Sequence, residues 1–292
     1  DEARPEAEPR PEETRLFAYA GDATTGNRTH DQQAAALMAA SLGYHRRERK
    51  PFWWAHFDRL AAPADEWADT GDTLIASSVT LDADWHKATP RQRKLRRRGR
   101  LVGDVDTGGT LRPKDKVFLL YESPGPEGLP SGGAGTRSWS SAEVVERTVD
   151  PHFHDVLVVE ELLQGDEHSS LPMAVTPGSP IPSTSLEAAI ESAASAMCDQ
   201  LPTLPRTAAV DVLRRIPPRT RSGAGLPEVE DADFAAAITA AVLDLDESYL
   251  AVQGPPGTGK TAGGSRVGEA LARVQGWRSG GVAPSHSVVE NM

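Results

Sequence analysis

The run GPPGTGKT, residues 254–261, leaves the backbone few choices. It follows a short apolar stretch, YLAVQ (249–253), that reads as a strand, and it precedes a helix expected to reach about Val274. Glycines at 254, 257 and 259 admit positive φ and let the backbone approach a ligand without a Cβ in the way. Successive N–H groups can then turn inward as an anion nest at the positive end of the next helix. Pro255 and Pro256 have no N–H to give and stiffen the loop instead. Lys260 places a mobile ammonium where β- and γ-phosphates would lie, and Thr261 offers a hydroxyl to Mg²⁺. Strand, glycine loop and helix in that order are the setting a P-loop requires. The segment Gly254, Pro255, Pro256, Gly257, Thr258, Gly259, Lys260 and Thr261 is therefore the candidate site for ATP with Mg²⁺, Lys260 and Thr261 being the catalytic candidates.

A phosphate cradle alone does not hydrolyse. Hydrolysis needs an acidic strand end beyond the loop and a cation for the transition state. After Thr261 the only acids are Glu269 and Glu290, and neither follows an apolar strand. VLVVEE (156–161) has the right look, with Glu160 and Glu161, but it precedes the loop and reads as an ordinary barrel strand. The expectation is an N-terminal part of a longer enzyme, ending inside its first RecA-like domain.

Upstream, the chain divides by texture. Residues 1–14, acidic and proline-rich, are expected to be a disordered tail. Residues 15–70 are expected to be helical, with a helix over 31–49 capped by Asp31 and ended by Pro51. Its expected stripe is Ala34, Leu37, Met38, Leu42 and His45, and Trp53, Phe57 and Leu60 follow as core. Residues 71–175 are β-rich, with short strands over 73–81, 100–106, 116–122, 141–149 and 155–163 that suggest a small barrel or curled sheet. Residues 176–230 are linker and helices: MAVTPGSPIPSTS (173–185) reads as linker, with helices over 186–201, capped by Ser185, and 207–215. Residues 231–292 begin the RecA-like part, with an Ala-rich helix over 231–246 whose apolar stripe is Phe234, Ile238, Ala241 and Leu245. The fold class is thus α/β: flanking helices, a small barrel, and the start of a P-loop domain. With Cys198 as the only cysteine, no disulfide forms within the chain, which suits a reducing cytoplasm. No apolar run is long enough to span a membrane.

GPPGTGKT followed by GVAPSHSVVENM (281–292) resembles superfamily 1 helicases of the branch that holds the nonsense-mediated-decay helicase and the Okazaki-fragment nuclease-helicase. In that branch the first segment is motif I. Motif Ia follows about twenty-five residues later, and Ala283, Ser285, His286, Val289, Glu290 and Asn291 match it. The resemblance implies that Ser285 and His286 touch single-stranded DNA or RNA. It also implies a barrel on a helical stalk ahead of the RecA-like core. YHRRERKPFWWAHFDRL (44–60) with SYLAVQGPPGTGKT (248–261) resembles bacterial fusions of a RecB-like nuclease domain to such a helicase, so a nuclease domain is an expected neighbour in the parent protein. No glutamine stands in the upstream helix where these helicases read adenine.

RQRKLRRRGR (91–100) holds seven basic residues in ten, within a chain of net charge −11. Arg96, Arg97 and Arg98 are nucleic-acid-binding candidates through phosphate contacts. The run equally suits a solvated loop or a contact with acidic segments. Glu48 to Lys50 matches the E-x-K of RecB-type nucleases, but on a helix rather than the strand such a site needs. His152 and His154 would share a face of a strand as metal ligands do, with no third ligand in view. The resulting expectation is an ATP-dependent helicase acting on single-stranded nucleic acid. The alternatives are another P-loop ATPase, such as an AAA-type remodeller, or a non-enzymatic nucleic-acid-binding module with a vestigial P-loop.

Overall fold

The computed structural model describes residues 8–21, 26, 28–87, 89–90, 92–105, 108–255 and 257–283. They form two compact units, one from residues 45–183 and one from 1–44 together with 184–292. The stretch 15–70, expected as one stalk segment, is divided between them at residue 44.

The 45–183 unit is a closed antiparallel barrel of six strands: β1 (Leu74–His86), β2 (Arg96–Val105), β3 (Lys116–Tyr121), β4 (Ser138–Val149), β5 (Asp155–Leu162) and β6 (Ala174–Pro177), in the spatial order β1-β2-β5-β4-β3-β6. The five expected strands are present. The sixth lies in the stretch read as linker. It is four residues long and ends in proline, so it carries no alternation of its own. It forms because β1 and β3 both offer it an edge, through Leu74↔Val175 and Leu119↔Val175, and closure removes two open edges. Ala174, Val175 and Thr176 are fully buried there.

Period-two alternation fills the barrel. Leu74, Leu101, Val117, Leu119, Val144, Leu157, Val159 and Val175 meet in its centre, each large side chain contributing about 1.5–3 kcal/mol on burial. On β2 the same alternation turns Arg97, Gly99, Leu101, Gly103 and Val105 inward and leaves Arg96, Arg98 and Arg100 outward. Outside the barrel, helix α3 (Tyr44–Ala61) brings Leu60, Phe52 and Trp53 onto Phe118, Leu120 and Ala174. Pro51 lies inside this helix rather than ending it. The break falls at Gly43, the C-cap of the preceding helix. Packing of the aromatic residues beyond Pro51 outweighs the local penalty that an interior proline imposes.

The second unit is helical. Helices α1 (Pro11–Ala20), α2 (His30–Leu42), α4 (Thr184–Gln200) and α5 (Ala208–Arg214) enclose Leu16, Ala35, Met38, Ala39, Met197, Cys198 and Val210. Helix α1 takes in residues 11–14 of the expected tail; Pro11 starts it, where a missing N–H costs nothing, and Leu16 and Ala20 anchor it. The cap of α2 is Thr29, not Asp31: Thr29 and Gln32 form a reciprocal capping box, while Asp31 pairs with Arg214. The inner face of α2 is alanine-rich, and Leu37 is only partly covered. Helix α4 starts at Thr184, which places Ser185 inside it. Helix α5 lies within the expected 207–215 span, and Thr207 caps it. Helices α6 (Phe234–Asp244) and α7 (Lys260–Gln275) complete the unit. Of the expected α6 stripe only Ala241 is buried, and Phe234 is 64% exposed. YLAVQ forms no strand, and no strand pairs with it among the described residues. The parallel sheet of a RecA-like domain is not among the described residues.

Candidate functional site

The glycine loop has the backbone its sequence requires. Gly257 and Gly259 have φ of +83° and +74°, in the left-handed region that side chains other than glycine rarely take. At Gly254 side chains close over the loop: a Cβ there would lie 2.6 Å from the Thr258 hydroxyl and 3.4 Å from Cγ of Lys260. Helix α7 starts at Lys260, directly after Gly259, and no side chain caps it. Its first amides are therefore open donors at the positive end of the helix dipole. Space around Gly257 and Gly259 is open. Thr258 tightens the loop by donating its hydroxyl to the Pro255 carbonyl at 2.8 Å. The Lys260 ammonium folds back across the loop and donates to the carbonyls of Pro255, at 2.7 Å, and Gly254. A phosphate reaching the loop would share or draw off that ammonium. Thr261 stands exposed in the first turn of α7, and its hydroxyl is the kind of oxygen a Mg²⁺ bound to a nucleotide takes as a ligand. Val267 and Leu271 bury the other face of the helix. Pro256 lies outside the described residues, as do Ser285 and His286.

The chain entering the loop is held by hydrogen bonds rather than by a sheet. Arg221 N–H donates to Asp244 O at 2.7 Å and Asp246 N–H to Arg219 O at 3.0 Å, around a bridge between Thr220 and Leu245. The Tyr249 hydroxyl donates to Ile216 O at 2.7 Å, and Ser248 lies beside Asp211 of α5. Asp211, Arg219, Ser248 and Tyr249 lie outside the glycine-loop motif. The one signal was an acid, Asp211, within an otherwise apolar turn of helix.

Arg96 to Arg100 of the basic run lie on β2 rather than in a loop, and the three candidate arginines have separate fates. Arg97 is 1% exposed inside one end of the barrel. It donates to Glu161 at 2.7 and 3.2 Å and to the Tyr121 hydroxyl at 2.9 Å, and its guanidinium lies 4.6 Å from the Trp85 ring. The Tyr121 and Ser140 hydroxyls both donate to the same carboxylate. Burial, and then the Glu161 charge, push the Tyr121 phenol well up, so it stays a donor. Withdrawing Arg97 toward a phosphate would strand a buried carboxylate, at about 3–5 kcal/mol, against about 1.5–3 kcal/mol for a new bond to a charged group. Arg97 is therefore not a nucleic-acid contact. Arg96 and Arg98 face outward, with side chains 35% and 43% exposed, and share Glu160. Burial alone would raise the Glu160 pKa, but the two guanidinium groups hold it below its usual value. Arg100 stands beside Asp82 on the same face. Glu160 and Glu161 thus serve the barrel, as their strand suggested.

Glu48 to Lys50 lies on α3, away from any strand. His152 and His154 lie in the β4–β5 turn, not on a strand. Asp150 accepts from the N–H groups of both, and the His154 ring pairs with Asp104 at 2.8 Å, which raises its pKa. No cluster of three metal-ligating side chains occurs among the described residues, and no helix among them is long and apolar enough to cross a membrane. Comparison of the chain with protein-family models and with curated proteins finds no match.

Proposed function

We propose that this chain carries the phosphate-binding loop of an ATP-dependent superfamily 1 helicase, an enzyme that couples ATP hydrolysis to movement on single-stranded DNA or RNA. The observation that supports this best is the left-handed Gly257 and Gly259 pair opening directly into the uncapped N-terminus of α7 at Lys260. In this reading the backbone of Gly257 to Lys260 cradles the phosphates and Lys260 neutralises the triphosphate. Thr261 holds Mg²⁺, which draws charge from the phosphate oxygens when bound. Ser285 and His286 contact the nucleic-acid strand by resemblance, and the outward arginines Arg96 and Arg98 add a salt-sensitive attraction.

A fluorescent ATP analogue with Mg²⁺ tests the reading. The chain should take it up saturably, and Lys260→Ala should weaken uptake at least about tenfold, the effect of losing a charge-assisted contact. Absence of saturable uptake by the unaltered chain overturns it. Arg96, Arg98 and Arg100 on one face of a closed barrel favour a second reading, a nucleic-acid-binding module with a vestigial loop. Salt-dependent strand binding with no nucleotide uptake would support that module instead.

A further inference from the structure

Asp211 is fully buried although it belongs to a seven-residue helix at the edge of the bundle. Its Oδ1 accepts from Arg214 Nη1 at 3.3 Å. Its Oδ2 accepts from Arg219 Nη1 and from the Ser248 hydroxyl, the latter at 3.0 Å. Ser248 in turn accepts the Arg219 backbone N–H at 3.1 Å, so its hydroxyl is oriented from both sides. Arg219 Nη2 also donates to the carbonyls of Glu247, at 2.9 Å, and Asp246, at 3.2 Å. One buried carboxylate thus gathers the residues that immediately precede the glycine loop. Arg214 extends the network to Asp31 of α2 at 2.6 Å, and its carbonyl lies 2.8 Å from the His30 ring.

The placement matters because the loop needs two fixed ends. Its far end is fixed by α7, through Val267 and Leu271. Its near end has no sheet to hold it among the described residues. A loop already fixed at both ends loses less conformational freedom when it closes on a ligand, and affinity rises accordingly.

We propose that Asp211 is a positioning residue for the glycine loop: through Ser248 it ties the entering chain to the helical bundle and so sets nucleotide affinity from a distance. This rests on the nucleotide-binding reading above. Ser248→Ala is the sharp probe, since it removes one hydroxyl and leaves the buried Asp211–Arg219 pair in place. Ser248→Thr restores the hydroxyl. Met197→Ala, in the bundle core, controls for simple loss of stability. In hydrogen exchange on the 292-residue chain, peptides spanning 249–259 should exchange about fivefold faster in Ser248→Ala, the equivalent of one lost hydrogen bond. They should be unchanged in Ser248→Thr and Met197→Ala. Uptake of the fluorescent ATP analogue should weaken by a similar factor in Ser248→Ala alone. Unaltered exchange in Ser248→Ala, or equal acceleration in Met197→Ala, overturns the positioning role. Failure of the unaltered chain to take up the nucleotide overturns the nucleotide reading, while the exchange rates still decide whether Asp211 positions the loop.

Discussion

His56 has no exposed surface, and neither ring nitrogen has a hydrogen-bond partner. Its ring lies 4.7 Å from Phe118 and 4.9 Å from Trp139, with Phe52, Trp53 and Phe57 closing the cage. Burial first, and the nearby Arg59 charge second, lower its pKa to about 4 from 6.5. The unfolded chain therefore takes up a proton below pH 6.5 that the folded chain refuses until about pH 4. Stability contributed by neutral His56 is whole above pH 6.5, falls as the pH drops, and reaches a full loss of about 3 kcal/mol below pH 4. Urea denaturation at pH 7.5 and 5.0 should show the chain losing about 2 kcal/mol more than a His56→Leu variant loses over the same interval. Equal losses would show that His56 does not titrate this way. The sequence showed the aromatic stripe but not this histidine, because its surroundings come from β3 and β4 as well as from its own helix. Lys260 and Thr261 are the opposite case: their backbone setting is fixed by glycines one to three positions away, so their geometry was legible residue by residue.

Elements were legible where pattern and pairing agree. Strands β1 to β5 alternate or run apolar, and the structure has them within a few residues of expectation. Three of the departures share one reason, that strands and interior prolines depend on partners. YLAVQ has the composition of a strand but pairs with no strand among the described residues, whereas AVTP, with weaker composition, has two neighbours and forms β6. Pro51 stays within α3 because β3 supplies a surface for the residues after it. At Gly103 the pairing of β1 with β2 leaves no room for a side chain: a Cβ there would lie 2.2 Å from the Ile75 carbonyl, beside the register shift between Ala76 and Ser78. The obstacle is backbone and cannot rotate away. Gly103→Ala should destabilise the barrel by about 1–3 kcal/mol in thermal or urea unfolding. An unchanged midpoint would mean that the bulge relaxes freely.

The molecule has two sets of cores with no residue in common: the α1, α2, α4 and α5 core, and the barrel with its α3 layer. Each can be disturbed separately. Met197→Ala should cost about 2–5 kcal/mol by opening a cavity in the first, and combined with Gly103→Ala the losses should add within about 0.5 kcal/mol. A larger discrepancy in the double variant would reveal coupling that the cores do not predict. At this scale the sequence by itself determined the glycine loop and a β-rich block between helical ones, because each depends on residues near one another in the chain. The tertiary structure alone decided that Arg97 points inward to Glu161, 64 residues away, and that Ser248 is held by Asp211, 37 residues away. A charge run reads the same whether it faces water or a buried carboxylate. Only closure of the barrel, which brings the carboxylate opposite, selects between the two.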